Sequence, residues 1–315
     1  MRKKALVYGI CLLGTVCTLS AKDKKGDALY KDAKAPIEKR VDDLLSRMTL
    51  EEKVMQLNQY TLGRNNNVNN VGEEVKKVPA EIGSLIYFET NPELRNNMQK
   101  KAMEESRLGI PIIFGYDAIH GFRTVYPISL AQACSWNPDL VEQACAVSAQ
   151  EARMSGVDWT FSPMIDVARD PRWGRTPETY GEDPFLSGVM GTAFVKGLQG
   201  EDPRYLKIVS TPKHFVANNE EHNRFICNPQ ISEKQLREYY FPAFEMCVKK
   251  GKAASIMTAY NALNDVPCTL NAWLLQKVLR QDWGFRGYVV SDCGGPSLLV
   301  NAHKYVKTKE TAAGG

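Results

Sequence analysis

The sequence lacks a strong excess of charge of one sign. Its 40 lysine and arginine residues and 36 aspartate and glutamate residues leave a formal charge of +4 over 315 residues. A nucleic-acid-binding protein more often carries a strong basic patch with exposed aromatic side chains among the charges. Here the lysines form short runs, KKVP, VKKGK and HKYVKTK, which are typical of solvated surface. We therefore expect no nucleic-acid partner.

Clustered metal ligands and nucleotide-binding glycine motifs are also missing. Eight cysteines are present, but no CxxC pair and no Cys/His cluster has the spacing of a zinc site. No GxGxxG or P-loop pattern follows a predicted strand, which argues against nucleotide binding. We therefore predict no metal and no cofactor. Apart from Cys11 and Cys17, the six cysteines could pair as disulfides in an exported protein or remain free and buried.

No apolar run is long enough for a comfortable membrane span, which needs about 20 residues. The N-terminal stretch ALVYGICLLGTVC follows three basic residues and precedes small ones. This pattern predicts a signal peptide over residues 1–21, with a charged leader over 22–36. A lipid anchor at Cys17 is the less favoured alternative, because Val16 is larger than the small residue expected beside a lipidated cysteine. The expectation is therefore export to the periplasm or beyond the cell, without an integral membrane span.

The remaining chain, residues 37–315, alternates two kinds of segment. Apolar residues at helical spacing from Val41, and a capping-box pattern at Thr49 and Glu52, predict two opening helices. After them, short apolar runs alternate with helices whose starts are marked at Asn137, Ser232 and Asn271 and whose stops are marked at Gly156 and Gly284. The strand candidates are 82–88, 110–117, 157–163, 206–214, 253–260 and 287–292. Such alternation predicts an α/β fold with a parallel sheet, either open and doubly wound or closed into a barrel.

The placement of polar residues separates these two folds. Nearly every strand candidate ends in a polar cluster: Asp117 with His120, Asp166 to Arg175, Lys213 with His214, Tyr260 with Asn261, and Asp292. A (β/α)8 barrel assembles its site from the loops after several strands, whereas an open sheet binds its ligand at one switch point. We therefore predict a (β/α)8 TIM-like barrel. Only six strand candidates are visible where a closed barrel has eight, so the barrel is expected to be incomplete at the C-terminus, with no second domain following.

Five ordered motifs carry a resemblance to a known family. They are GYDAIHG at 115–121, ARDPRWGRTPETYGEDP at 168–184, KHFVANNEEHNR at 213–224, IMTAYNALNDVPC at 256–268 and YVVSDCGG at 288–295. The chain resembles the N-terminal barrel domain of glycoside hydrolase family 3, the group of β-glucosidases, β-xylosidases and related exo-acting enzymes. Five such motifs in the right order at strand ends are far more specific than any one of them. The resemblance implies a retaining hydrolase with an oligosaccharide or glycoside as its substrate.

Asp292 is the candidate nucleophile. Retaining glycoside hydrolysis needs one carboxylate to attack the anomeric carbon and a second acid to protonate the leaving oxygen. Asp292 ends the strand-like run GYVVSD and precedes the glycine-rich CGGP, so its backbone is held while a sugar ring can approach. An aspartate that caps the following helix is the alternative on spacing alone. The family motif favours the nucleophile.

The resemblance also implies a set of sugar-binding residues. They are Asp117, Arg175, Lys213, His214, Met257 and Tyr260. A carboxylate such as Asp117 can accept hydrogen bonds from two neighbouring hydroxyls. Glu178 is expected to orient Arg175, and Tyr260 to hydrogen-bond Asp292. Lys213 is expected to place a positive charge near Asp292, and for Met257 ordinary core packing is an equal alternative.

Several alternatives stay open within this interpretation. Members of the hexosaminidase type use a His and Asp dyad, but the loop VANNEEHNR lacks its Asp-x-His arrangement, so His222 and Arg224 are expected to shape the site. Asp117 favours a terminal, non-reducing β-D-glucosyl residue as the group cleaved, whereas Cys293 after the nucleophile is found in xylosidase-like members. The predicted function is therefore an exo-acting β-glucosidase, with a β-xylosidase as the alternative.

The general acid is the missing part. In glucosidase-like members it comes from a later domain, which implies that the acid lies outside this chain. We therefore expect little glycosidase activity from the 315 residues alone. A non-catalytic carbohydrate-binding barrel or an inactive fragment is the alternative from another functional class. Retention of Asp292, Lys213, His214, Arg175 and Asp117 argues against it.

Overall fold

The computed structural model describes residues 28–62, 73, 76, 78–88 and 91–314. The predicted signal peptide therefore lies outside the described residues, as do residues 22–27 of the charged leader. The chain divides into two compact units, Met1–Lys53 and Val54–Gly315. In the first unit, α1 spans Ile37–Arg47, and the predicted capping box follows it. The backbone amide of Thr49 donates to Glu52 Oε2 at 2.9 Å, and that of Glu52 to Thr49 Oγ1 at 3.2 Å.

The second unit contains the strands. They are β1 (Gln59–Leu62), β2 (Ser84–Tyr87), β3 (Ile113–Tyr116), β4 (Trp159–Thr160), β5 (Ser255–Thr258), β6 (Ala262–Leu263), β7 (Val266–Pro267) and β8 (Tyr288–Ser291). The first four form a parallel sheet in sequence order. β5 pairs with β8, again in parallel, and β6 forms a short antiparallel hairpin with β7. The predicted α/β fold with parallel strands is confirmed.

The segment between β4 and β5 joins the two parallel sheets. Isolated parallel bridges pair Trp159 with Val209, Met164 with Lys213, and Phe215 with Thr258. The chain therefore places β1, β2, β3, β4, this segment, β5 and β8 side by side in sequence order, as in a barrel wall. Within the described residues, no pairing joins β8 to β1, so the wall is not closed.

Two details differ from the sequence prediction. The candidate strand 206–214 pairs only through isolated bridges and is not a regular strand. β1 was not predicted. It has four residues, QYTL, of which Leu62 alone is buried, so it offers no apolar run and owes its conformation to pairing with β2.

Helices precede, separate and follow the strands along the chain. They are α1, α2 (Leu50–Gln56), α3 (Pro92–Glu105), α4 (Ser129–Ala133), α5 (Pro138–Met154), α6 (Pro184–Gln199), α7 (Glu233–Gln235), α8 (Pro242–Lys249), α9 (Gly295–Asn301) and α10 (Lys309–Gly314). Leu236–Tyr240 and Trp273–Asp282 have π-helical hydrogen bonding. Leu29–Lys31, Thr176–Glu178 and Cys268–Leu270 are 3₁₀ turns.

The helix signals in the sequence are confirmed. Asn137 Oδ1 accepts the amide of Leu140 at 3.2 Å, and Ser232 Oγ accepts the amide of Gln235 at 3.2 Å. Asn271 Oδ1 likewise accepts a backbone amide of the following helix, at 3.0 Å. Each cap satisfies a donor that the first helical turn leaves free.

Close helix packing supports the barrel wall from outside. The α6 segment GVMGTAFVKG presents glycines to its neighbours, and a Cβ added at Gly197 would lie 2.3 Å from the carbonyl oxygen of Glu142 in α5. The helices can therefore approach closely, and most of α6 is buried. A separate small apolar cluster contains Ile86, Trp159, Phe161 and Met257.

Candidate active site

The parallel register brings polar side chains to one edge of the strands. Thr258 of β5 lies opposite Ser291 of β8, so Asp292 follows at the C-terminal end of that pair. Asp117 comes directly after β3. The bridge of Lys213 to Met164 places Lys213 beyond the C-terminal end of β4. This common edge is where a barrel assembles its site, as the sequence predicts.

Lys213 and Asp117 form an ion pair across this edge. Lys213 Nζ lies 3.1 Å from both carboxylate oxygens of Asp117. Only 4% of the lysine side chain is exposed, against 42% of the aspartate side chain. A buried ammonium group needs such a partner, because its desolvation is otherwise uncompensated. Lys213, which was expected to place a positive charge near Asp292, thus binds Asp117 directly.

His214 sits between a buried carboxylate and Asp292. Its Nδ1 lies 2.8 Å from Asp166 Oδ2, and its Nε2 lies 3.5 Å from Asp292 Oδ2. Arg175 Nη1 lies 3.3 Å from the same Nε2. Burial, and then the charge of Lys213, lower the pKa of His214 to about 3. The imidazole is therefore neutral at physiological pH.

Arg175 is oriented by Glu178, as expected. Arg175 Nε donates to Glu178 Oε1 at 2.8 Å, and Nη2 donates to Oε2 at 2.9 Å. Burial alone would raise the pKa of Glu178, but the hydrogen bonds and charge of Arg175 outweigh it and hold that pKa below its ordinary value. This two-point pairing fixes the guanidinium plane and directs Nη1 toward His214.

Asp292 is positioned by its own loop. Its side chain is 14% exposed, and Oδ1 accepts the backbone amide of Cys293 at 2.7 Å. The following helix begins at Gly295, its N-cap is Gly294 in the left-handed conformation with φ of 71°, and no side chain caps it. Within the described residues, Asp292 therefore does not serve as the helix cap that spacing alone allowed. Oδ2 is directed toward His214.

Tyr260 and Met257 have different surroundings. The hydroxyl of Tyr260 donates to the carbonyl oxygen of Cys293 at 3.0 Å, and it also has the expected side-chain hydrogen bond with Asp292. Burial, and then the negative charge of Asp292, raise the pKa of Tyr260, so its hydroxyl remains a proton donor. Met257 is buried and packs with Trp159 and Phe161. The core alternative therefore describes Met257 in this structure.

Two polar residues of the site were not among the predicted ones. Asp166 Oδ2 accepts a hydrogen bond from the backbone amide of His214 at 2.9 Å, and it also contacts Nδ1 of the same residue. Asn218 places its side-chain nitrogen 3.2 Å from the same Nδ1. The sequence offers a signal for Asp166, because a charged residue stands between apolar neighbours in FSPMIDVA. Such a buried charge requires a partner.

A cavity of about 550 Å³ lies between two loops of this edge. Its lining residues are Asp170, Arg172, Trp173, Gly174, Asn219, Glu220, Glu221 and His222. Arg172 pairs with Asp170 at 2.6 Å within the first of these loops. Arg224 pairs with Glu221 and lies over the ring of Tyr260, 5.2 Å from its centroid. These contacts shape the loop, as the sequence suggested for Arg224.

The described part of the chain has neither a metal-ligand cluster nor a helix that could span a membrane. No group of three or more His, Cys, Asp or Glu side chains there is arranged to hold a metal ion. Cys134, Cys145, Cys227, Cys247, Cys268 and Cys293 are free thiols. Every helix of the described ranges is too short or too polar to cross a bilayer.

Comparison with known proteins identifies what the chain is similar to. Residues 49–313 match the profile of the glycosyl hydrolase family 3 N-terminal domain. A periplasmic β-glucosidase of Salmonella typhimurium is 38% identical over 301 residues, which is 92% of this chain and 38% of that protein. A β-xylosidase of Formosa agariphila is 36% identical over 270 residues, covering 81% of this chain and 37% of the relative. The chain thus spans about two fifths of the length of these relatives.

Solved structures give the same result. The β-glucosidase from Listeria innocua in complex with glucose superposes with a TM-score of 0.78 at 33% identity, over 88% of this chain and 40% of that one. A β-glucosidase from Erythrobacter marinus superposes with a TM-score of 0.81 at 30% identity, over 91% of this chain and 40% of that one. Both similarities extend over nearly all of the described residues.

Proposed function

Because the chain belongs to glycoside hydrolase family 3, we propose that it provides the nucleophile side of an exo-acting, retaining β-glycosidase that removes terminal non-reducing β-D-glucosyl residues. Asp292 is the nucleophile in this proposal. The observation that carries it is the position of Asp292, whose partly exposed carboxylate stands at a strand end beside His214, Arg175 and the ion pair of Lys213 with Asp117.

The surroundings of Asp292 suit attack on an anomeric carbon. Oδ1 is bound to the amide of Cys293, which leaves Oδ2 as the oxygen that can form the bond to the sugar. The Tyr260 hydroxyl is tied to the same loop through the carbonyl of Cys293 and holds that loop in place. A nucleophile held in this way loses little conformational freedom when it reacts.

The other polar groups suit the hydroxyls of one sugar ring. Asp117 accepts hydrogen bonds, Arg175 and Lys213 donate them, and His214 presents Nε2. These residues lie around Asp292 on the same strand edge, so we assign them to the sugar that is cleaved. For Met257 we propose no direct contact with the sugar, because it packs in the apolar cluster.

The described carboxylates near Asp292 do not suit the role of general acid. Asp117 is bound to Lys213, and Glu178 is bound to Arg175 with a lowered pKa. Burial raises the pKa of Asp166 to about 8, but its side chain is 2% exposed and one oxygen faces His214. It therefore has no access to a leaving oxygen. We propose that the acid is contributed by residues outside the described set.

A β-xylosidase is the second candidate. Cys293 follows the nucleophile and is exposed, so the leaving-group side of Asp292 has no large side chain at this position. Several relatives of comparable identity are named β-xylosidases, including those of Formosa agariphila and Xylanibacter ruminicola. Asp117 keeps the glucosidase as the first candidate, because the resemblance associates an aspartate at this position with a glucose-like ring and a glutamate more often with xylosidase-like members.

We also propose that the protein is exported. The N-terminal segment has the pattern of a signal peptide, and the Salmonella typhimurium relative is named a periplasmic enzyme. Mass spectrometry of the N-terminus after expression with export would test cleavage after residue 21. An intact N-terminus on the exported protein would contradict it.

A covalent trapping experiment tests the nucleophile without requiring a general acid. A dinitrophenyl glucoside with fluorine beside the anomeric carbon has a leaving group that departs unprotonated, and fluorine slows hydrolysis of the glycosyl-enzyme. We expect one glucosyl adduct, which peptide mass spectrometry places on Asp292. The corresponding xyloside, compared at equal concentration, should react more slowly.

Two variants control this experiment. Asp292→Asn should form no adduct but should still bind glucose. Asp170→Asn should label normally, because it removes a carboxylate of the same edge that is paired with exposed Arg172. An adduct on another residue would move the nucleophile, faster labelling by the xyloside would favour the second candidate, and glucose binding without any adduct would favour a non-catalytic sugar-binding barrel.

A further inference from the structure

We propose that Asp166 is a positioning residue, which fixes the ring of His214 with its proton on Nδ1 and so leaves Nε2 as a hydrogen-bond acceptor, for Arg175 in the free site and for a sugar hydroxyl when the sugar is bound. The inference rests on the proposed function only for the sugar. The position of the proton follows from contacts within the chain.

One oxygen of Asp166 makes both contacts. Oδ2 accepts the backbone amide of His214 at 2.9 Å and lies 2.8 Å from Nδ1 of the same residue. The backbone amide of Ile165 donates to the carbonyl oxygen of Lys213 at 2.9 Å, which fixes the two segments relative to each other. The side chains of Asp166 and His214 are 2% and 3% exposed. The imidazole is thus held by a short, nearly dry contact.

The contact at the opposite nitrogen shows where the proton lies. Arg175 Nη1 is 3.3 Å from Nε2, and a guanidinium group can only donate. Nε2 must therefore accept, which leaves the single proton of the neutral ring on Nδ1, facing the Asp166 carboxylate. Asp292 Oδ2 is 3.5 Å from Nε2, a distance at which a hydrogen bond contributes little.

Asn218 is compatible with this assignment. Its side-chain nitrogen is 3.2 Å from Nδ1, and its Oδ1 is buried without a hydrogen-bond partner among the described residues. The two ends of an amide are assigned from their surroundings. Turning this amide by half a rotation directs the unpaired oxygen toward the Nδ1 proton, so Asn218 would become a second acceptor.

The charges around the pair agree with a neutral ring. Burial, then Lys213 and Arg175, disfavour a second proton on His214 and lower its pKa, although Asp292 and Glu178 act in the opposite direction. Burial also raises the pKa of Asp166, and the amide of His214, Arg175 and Lys213 oppose that rise. Lys213 and Arg175 therefore help to keep the imidazole uncharged, and Asp166 Oδ2, which accepts the amide of His214, can accept from Nδ1 in either protonation state of the carboxyl group.

Nitrogen NMR of the histidines tests the position of the proton directly. The chain has 4 histidines, so His214 can be assigned by its loss in His214→Gln. In the wild type we expect a proton on Nδ1. Asp166→Leu should release the ring and move the proton toward Nε2. Asp166→Asn should restore the wild-type spectrum, because the amide oxygen can accept both contacts that Oδ2 accepts now.

Glucose titration by calorimetry tests the consequence for binding. The dissociation constant should rise about tenfold in Asp166→Leu, the loss of roughly one hydrogen bond, and should return to within about threefold in Asp166→Asn. Asp158→Leu is the matched control, since Asp158 Oδ2 also accepts a backbone amide from a neighbouring strand, that of Phe114 at 3.2 Å. It should change neither the His214 spectrum nor the affinity.

Several results would overturn the inference. A proton on Nε2 in the wild type would do so alone, even if Asp166→Leu does not fold. An unchanged His214 spectrum in folded Asp166→Leu would show that Asp166 serves only the backbone, and an unchanged glucose affinity with a moved proton would remove the link to the sugar. If the wild type binds no glucose while the spectrum is as expected, the proposed function fails and the assignment of the proton stands.

Discussion

Asp117→Asn should destabilise the protein more than Lys213→Met, although both changes break the same ion pair. The lysine side chain is 4% exposed and the aspartate side chain is 42% exposed. Removing the carboxylate leaves a buried ammonium group without its main partner, whereas removing the ammonium group leaves a carboxylate that water can reach. Removing the aspartate should therefore cost more stability than removing the lysine of the same pair.

The magnitude follows from these exposures. Loss of one partner of a buried pair typically costs about 3–5 kcal/mol, and a pair with an exposed member contributes about 0–1 kcal/mol. Asp166 and Glu178 also lie within electrostatic reach of Lys213, so part of its charge stays compensated. We therefore expect a loss of about 3 kcal/mol for Asp117→Asn and about 1 kcal/mol for Lys213→Met.

Urea unfolding followed by tryptophan fluorescence measures both losses, because the chain contains five tryptophans. The double variant should lose less stability than Asp117→Asn alone, since it no longer buries an unpaired ammonium group. Equal losses in the two single variants, or a double variant that loses their sum, would refute this account of the pair.

Two further predictions concern the neutral histidine and the packed helices. Because burial, and then Lys213, lower the pKa of His214 from 6.5 to about 3, its contribution to stability is complete above pH 6.5 and is lost as the pH falls toward 3. His214→Gln should therefore make the urea midpoint less dependent on pH between about pH 4 and 6.5. An unchanged pH dependence in this variant would contradict the lowered pKa of His214. Gly197→Ala should cost about 1–3 kcal/mol, since its Cβ would lie 2.3 Å from the carbonyl oxygen of Glu142 and 2.7 Å from Cys145 Cβ. Gly174→Ala, which meets nothing within 4 Å, should change the urea midpoint little, and equal midpoints for the two variants would contradict the packing argument.

Signals that act over a few residues could be predicted from the sequence. The caps at Asn137, Ser232 and Asn271 are side chains that bind amides three positions further on, so a short pattern contains the whole interaction. The pairing of Arg175 with Glu178 is equally local, at a separation of three residues. The order of the motifs indicated one functional edge for a similar reason, because three of them, at 115–121, 256–268 and 288–295, include the end of their own strand.

β1 shows where that approach fails. Gln59–Leu62 carries no apolar run, and its extended conformation depends on the ladder it forms with β2, more than twenty residues later in the chain. Segment 206–214 shows the opposite failure of the sequence prediction. Its apolar residues predict a strand, but only isolated bridges form there. Pairing partners distant in sequence decided both outcomes.

The sequence by itself determined the alternation of strands and helices, the family resemblance and the residue types available at the strand ends. The tertiary structure decided which of them meet. Lys213 binds Asp117, 96 residues away, and His214 lies against Asp166, 48 residues away. Burial then makes these contacts consequential, because a charge removed from water must find a partner within the fold. That requirement places Asp166 against His214, whereas apolar packing places Met257 in the cluster with Trp159 and Phe161.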